Sequence, residues 1–149
     1  MDIHNPHDSF FKSVFHDKQN VIDYIQAFLP NDLAIKLDLA TLEMEDTSYV
    51  DKKLRNKLSD VVYNCNYSSE EIIKPIKIVL LFEHKSKMPK YPHVQLLNYL
   101  TNIWNRNIKN KEELQVVIPI VFYHGKKKWH HYPFHHYFDS VDSSLKRFI

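Results

Sequence analysis

The run Ile76-Lys77-Ile78-Val79-Leu80-Leu81-Phe82-Glu83-His84-Lys85 constrains this chain more than any other stretch. Aliphatic residues occupy both of its alternating faces, the pattern of a central strand covered on two sides. Such a strand requires a sheet with a layer on each face, so an α/β domain is predicted. Period-two geometry sets Val79, Leu81, Glu83 and Lys85 on one face, and Ile78, Leu80, Phe82 and His84 on the other. A carboxylate and an ammonium therefore leave the core side by side. Taken alone, a Glu-x-Lys triplet at a strand end is an ordinary surface ion pair. Its neighbours decide whether it is more.

The chain has 149 residues, 44% of them hydrophobic, enough to bury one core and too few for two. A formal charge of +2 gives no bulk argument for a polyanionic partner, so local clustering must carry one. Lys74, Lys77, Lys85, Lys87 and Lys90 gather around the central strand, and Lys126-Lys127-Lys128 form a second block. Cys65 is the sole cysteine, which excludes an internal disulfide and a cysteine-based zinc knuckle and fits a reducing, cytoplasmic setting. Gly125 is the sole glycine, so neither a P-loop nor a dinucleotide fingerprint can be built. Asp2, His4, Asp8 and Lys12 interrupt the apolar residues at the start, unlike a signal peptide, and no stretch reaches the length of a membrane span. A soluble protein is expected.

In chain order, Asn5-Pro6-His7-Asp8 opens a helix with a cap, a proline at the first position and an acid in the first turn. Phe10, Phe11, Val14 and Phe15 supply its apolar stripe. Asp17 caps a second helix, through Val21, Ile22, Ile25, Phe28 and Leu29, which Pro30 stops. Residues 31–36 read as a connection, Leu37 to Glu45 as a strand and Asp46-Thr47-Ser48 as its turn. Lys57 to Tyr67 alternates, with Val61, Tyr63, Cys65 and Tyr67 on one face and Leu58, Asp60, Val62 and Asn64 on the other. Ser68-Ser69-Glu70-Glu71 then folds it into an antiparallel hairpin with the central strand, bringing Asp60 near Glu83. A register slip of one residue would turn Asp60 to the opposite face.

After Pro89 and Pro92, Val94, Leu97, Leu100, Ile103 and Trp104 form the apolar side of a helix to about Ile108, predicted to pack on the sheet. Gln95, Tyr99, Asn102 and Arg106 share another side and border the strand end. Gln115 to Tyr123 is a further strand in which Pro119 demands an edge or a bulge. Strand, helix and strand imply a right-handed parallel crossover. The tail from His124 is rich in aromatics and histidine, with a short helix at Ser143 to Phe148.

Asp60, Glu83 and Lys85 at adjoining strand ends, with a polar helix face following, are the parts of a hydrolytic metal site. Two carboxylates are the hard oxygen ligands that magnesium takes alongside water and substrate phosphate. A neighbouring lysine can orient or deprotonate the attacking water. Phosphodiester hydrolysis suits these residues.

In order, Asp60, Glu83-His84-Lys85 and Gln95-x-x-x-Tyr99 resemble the PD-(D/E)XK nuclease superfamily. Four words narrow the resemblance: His7-Asp8-x-x-Phe11-Lys12, Ser59-Asp60-Val61-Val62-Tyr63, Leu81-Phe82-Glu83-His84-Lys85-Ser86, and Val117 through Tyr123-His124-Gly125. Together they resemble the Rpn, or YhgA-like, recombination-promoting nuclease and transposase family over nearly the whole chain. The resemblance implies a restriction-endonuclease-like core: a mixed sheet with an antiparallel hairpin, a crossover helix and a parallel strand, preceded by helices. It also implies DNA cleavage with Mg2+ or Mn2+. Carried over, Asp60 and Glu83 are metal ligands, with the His84 carbonyl a third. Lys85 activates water, and Gln95 completes the catalytic set. Tyr99, Lys87 and Arg106 support the site or meet DNA. Asp8 has two readings, a site acid from the first helix or an acid favoured by the helix dipole.

Family members continue well past the Tyr-His-Gly word, so residues 1–149 are expected to be one nuclease-like domain forming an amino-terminal portion. The alternative is a module that keeps the fold and binds nucleic acid without cutting it. DNA is the implied partner, no membrane is, and self-assembly is left open. His130, His131, His135 and His136 lack the spacing of a structural zinc site. Trp104 and Trp129 are assigned to the core rather than to base-stacking platforms, and Cys65 to an inert buried thiol.

Overall fold

The computed structural model describes residues 5–138 and 140–149; Asp2 and His4 lie outside them. Asn5 caps α1 (Pro6–Phe15) by accepting a 3.0 Å hydrogen bond from the His7 amide. Asp17 does the same for α2 (Lys18–Phe28), through the Gln19 amide at 2.9 Å. Residues 31–36, read as a plain connection, include a single helical turn, α3 (Asn31–Ala34). The four-stranded sheet follows in the spatial order β1 (Leu37–Glu45), β2 (Leu58–Ser69), β3 (Ile72–Glu83), β4 (Val117–Phe122). The β1, β2 and β3 strands are antiparallel neighbours, and β4 is parallel to β3 across α4 (Pro92–Lys109). Pro119 sits on an edge strand, where its missing donor costs no ladder bond on the open side. The chain closes with a 3-10 turn, Phe134–Tyr137, and α5 (Ser143–Lys146), capped by Asp142. This mixed α/β sheet is consistent with a restriction-endonuclease-like fold.

Several boundaries differ from the sequence reading; β4 and α5 are shorter than predicted, and two differences bear on the site. The hairpin strands run on to a tight turn at Glu70 and Glu71, Glu70 having a left-handed φ of 41°. The central strand ends at Glu83, so Lys85 lies beyond it on an exposed bend and does not continue its face.

Each face of β3 has its own core. Ile76, Ile78, Leu80 and Phe82 pack with Val61, Tyr63 and Cys65 under Phe11, Phe15, Val21 and Ile25 of α1 and α2. Val79 and Leu81 pack with Val62 and Leu58 under Tyr99 and Ile103 of α4. Each large aliphatic side chain so buried contributes about 1.5–3 kcal/mol.

The rotation of α4 corrects the predicted one. Val94 and Leu97 face outward, 43% and 45% exposed, while Leu96, Tyr99, Leu100 and Ile103 meet the sheet. Gln95 and Tyr99 sit against the sheet because their polar ends find partners there, Glu83 and Asp60. Trp104 is half-buried and donates to the Gln115 carbonyl at 3.0 Å. Cys65 is a buried thiol whose pKa burial pushes up, as expected of an inert one.

Candidate active site

The hairpin register sets the two acids. Asp60 pairs with Leu81 and Leu58 with Glu83, so Asp60 and Glu83 are diagonal neighbours on the α4 face. Diagonal side chains in such pairs stand about 7–8 Å apart. Asp60 is held by three donors: Ser48 Oγ at 2.5 Å to Oδ1, and the Tyr49 amide and Tyr99 hydroxyl, each at 2.8 Å, to Oδ2. Tyr99 is 0% exposed, and burial together with the Asp60 charge holds its pKa well above that of a free phenol. It is therefore a donor at any working pH. Glu83, only 3% exposed, accepts from Gln95 Nε2 at 2.7 Å and from the Lys85 amide at 3.2 Å.

Two cavities open at this strand end. Asp60 lines a cleft of about 910 Å³ with Asp8, Lys12, Arg55, Ser59, His84 and Lys85. Glu83 opens instead, with Gln95, on a cavity of about 430 Å³ whose lining also includes His93, Trp129 and His131. Leu58 borders both. The structure thus brings Asp60 together with Lys85, His84 and Asp8, and sets Glu83 one residue's width away. Asp8 pairs with Lys12 at 3.3 Å through one oxygen, and its other oxygen is buried without a partner. Both readings of Asp8 thus have an observation behind them, a place in α1's first turn and a place in the cleft. His84 meets Ser59 Oγ through Nε2 at 2.6 Å, and its carbonyl accepts from His124 at 3.1 Å. Lys87 is exposed.

Arg106 does not join the site. Its guanidinium lies over the Tyr49 ring, 5.6 Å from the centroid, in a separate cavity with Glu45 and Lys77. There the buried Lys77 ammonium is paired with Glu45 and is 3.0 Å from Asn64 Oδ1. Burial pushes Glu45 up, but hydrogen bonds from Lys77, Tyr49 and Asn64 outweigh it and hold the carboxyl below its usual range. The Tyr49 hydroxyl donates to Glu45 at 2.5 Å, and burial and that charge raise its pKa.

Ser48, Tyr49 and Arg55 reach the site without a sequence signal, being loop residues that only the tertiary fold delivers. Trp129, assigned to the core, is half-buried and walls the Glu83 cavity, because the tail folds back over α4 instead of entering either core. Among the described residues, no three side chains of His, Cys, Asp or Glu stand close enough together to hold a metal ion. The donor set still suits a hard cation that takes one or two protein carboxylates. Asp60 Oδ1 and both Glu83 oxygens accept one hydrogen bond each, and each oxygen has a second lone pair.

Residues 5–149 match the family described as "Putative transposase, YhgA-like". The chain is 32% identical over 124 residues to recombination-promoting nuclease RpnD of Escherichia coli O157:H7, covering 82% of this chain and 46% of that protein. It is 31% identical over 123 residues to the inactive recombination-promoting nuclease-like protein RpnE of Escherichia coli K12, covering 82% and 40%. Recombination-promoting nuclease RpnC of the same strain is 28% identical over 122 residues, covering 81% and 39%. The chain thus spans less than half the length of these relatives. No solved structure shows significant similarity to it. On the family match across the four motif words and the fold that carries them, the chain belongs to the YhgA-like transposase family, whose relatives include the recombination-promoting nucleases.

Proposed function

We propose that this chain carries the catalytic centre of a divalent-metal-dependent DNA endonuclease acting in recombination. The observation that supports it best is the pairing of Asp60 and Glu83 on one sheet face, next to a cleft ringed by Lys12, Arg55 and Lys85. The three cations neutralise the phosphate backbone and place a phosphodiester over Asp60. Asp60 and Glu83, with the His84 carbonyl, would hold Mg2+ or Mn2+, which when bound stabilises charge on the phosphorus centre and acidifies a water. Lys85, on its exposed bend, orients that water and the phosphate. Gln95 and Tyr99 fix the two carboxylates, so their aim is set before substrate arrives. Asp8 is kept as an additional acid facing the same cleft.

The test is cleavage of plasmid DNA with Mg2+ or Mn2+ against EDTA. Asp60→Ala and Glu83→Ala are expected to lose at least about 100-fold in rate while remaining folded. Lys85→Ala should slow turnover with metal binding intact. Undiminished cleavage by Glu83→Ala would move the active site elsewhere. The second reading, a binding module that does not cut, is favoured by one finding: a relative named inactive is as similar to this chain as one named a nuclease. Wild-type DNA binding without cleavage would select it.

A further inference from the structure

We propose that the cavity beside Glu83 takes one unpaired nucleobase of the strand being cut, while the adjoining cleft takes that nucleotide's phosphate. The proposal rests on the nuclease reading and deepens it, by naming DNA with an unpaired or extruded base as the substrate class.

The two cavities differ in the chemistry they can accept. The cleft of Asp60 carries Lys12, Arg55 and Lys85, whereas among the described residues no lysine or arginine lines the cavity of Glu83. The cleft sets three cations against the carboxylates of Asp8 and Asp60, and the cavity sets one carboxylate against none, so a phosphate is matched by the first and not by the second. At about 430 Å³ the second lies within the range of roughly 300–1,000 Å³ that small organic ligands occupy. Its open walls are Val121 from the sheet and Trp129 and His131 from the tail, the aliphatic and aromatic faces on which a base packs. The Trp129 ring stands edge-on to Tyr123 at 5.9 Å, and His131 edge-on to His93 at 5.6 Å. His93 is in turn tied to Tyr137 by a 2.7 Å hydrogen bond, so the aromatic wall is braced from behind.

The polar end of the cavity fits the edge of a base. Gln95 spends one amide hydrogen on Glu83, which leaves its second N–H and its carbonyl as an adjacent donor and acceptor. Glu83 is an acceptor for an exocyclic amine. A base paired in a duplex has its edge engaged and its faces stacked, so only an unpaired base can enter a cavity of this kind. Leu58, bordering both spaces, sets base and phosphate one residue's width apart.

The test is binding without cleavage, in EDTA at one fixed salt concentration. Fluorescence anisotropy compares a short oligodeoxycytidylate, whose bases carry an exocyclic amine, with a base-free tetrahydrofuran backbone of equal length. The wild-type chain is expected to prefer the base-bearing strand by about 5- to 150-fold, the range that stacking one base supplies. Trp129→Ala should abolish that preference and leave affinity for the base-free backbone unchanged, and Trp129→Phe should retain most of it. Equal wild-type affinity for the two strands would overturn the proposal without any variant being needed. So would a Trp129→Ala chain that keeps the preference or weakens both strands alike. The two readings fail separately: cleavage with Mg2+ but no base preference sinks only the base cavity, and base preference without cleavage sinks only the nuclease.

Discussion

Lys77 is the one buried cation among the described residues, and replacing it by methionine keeps its aliphatic stem while deleting the charge. The Glu45 side chain is 20% exposed and retains hydrogen bonds from Tyr49 and Asn64, so the cost falls at the lower end of the range for breaking a buried pair, about 3 kcal/mol. In a domain of this size that lowers Tm by about 6–12 °C. The double variant Lys77→Met/Glu45→Gln removes both charges and is expected to recover to within about 1 kcal/mol of wild type. The pH dependence has a definite sign. Glu45 has a folded pKa below its unfolded value, so its contribution is complete above about pH 4.3 and is lost as pH falls through the folded pKa. The gap between wild type and Lys77→Met should therefore stay constant above about pH 4.3 and narrow as pH falls below it. Urea unfolding of the four chains of the cycle at several pH values reads each term. A Lys77→Met cost under about 1 kcal/mol, typical of an exposed pair, would refute the reasoning.

Tyr99→Phe keeps the ring and removes one of three donors to Asp60; stability should fall by about 1.5 kcal/mol by urea unfolding, and DNA cleavage by about tenfold. Gly125→Ala puts a methyl group against both the Tyr123 hydroxyl and the Ser86 carbonyl, so about 1–3 kcal/mol should be lost in calorimetry, and Tyr123→Phe should not restore it because the Ser86 backbone still obstructs. Glu70→Gly relieves a left-handed residue at the hairpin turn and should raise stability by up to about 1 kcal/mol, with unchanged cleavage.

The parts of this molecule that could be read in its sequence are those governed by local periodicity. Asn5 and Asp17 announce their helices because a cap needs only its next two amides. Asp60 could be placed on the Glu83 face because a two-period strand and a tight turn leave few registers, and Leu58 opposite Glu83 is the one adopted. The rotation of α4 was not readable. Val94 and Leu97 look like a buried stripe, yet Tyr99 and Asn102 are drawn inward by Asp60 and the Tyr49 carbonyl, partners some forty to fifty residues away. Lys85 is a smaller case: alternation assigns it a face only if β3 continues, and β3 stops two residues earlier. Ser48 and Tyr49 had no pattern to betray them, since a loop residue becomes an active-site donor only through the chain's return path.

That return path makes the site easy to lose. Two of the three hydrogen bonds on Asp60 come from the connection 46–57, which also anchors to α4 through Asn102 and to Glu45 through the Tyr49 hydroxyl. A one-residue deletion there would leave every letter of the Asp, Glu and Lys motif in place and still misaim the carboxylate. Decay of a gene copy can thus begin outside the motif, and retention of Asp60, Glu83 and Lys85 is weak testimony that such a copy still works. The Ser48-Tyr49 step is the more sensitive record.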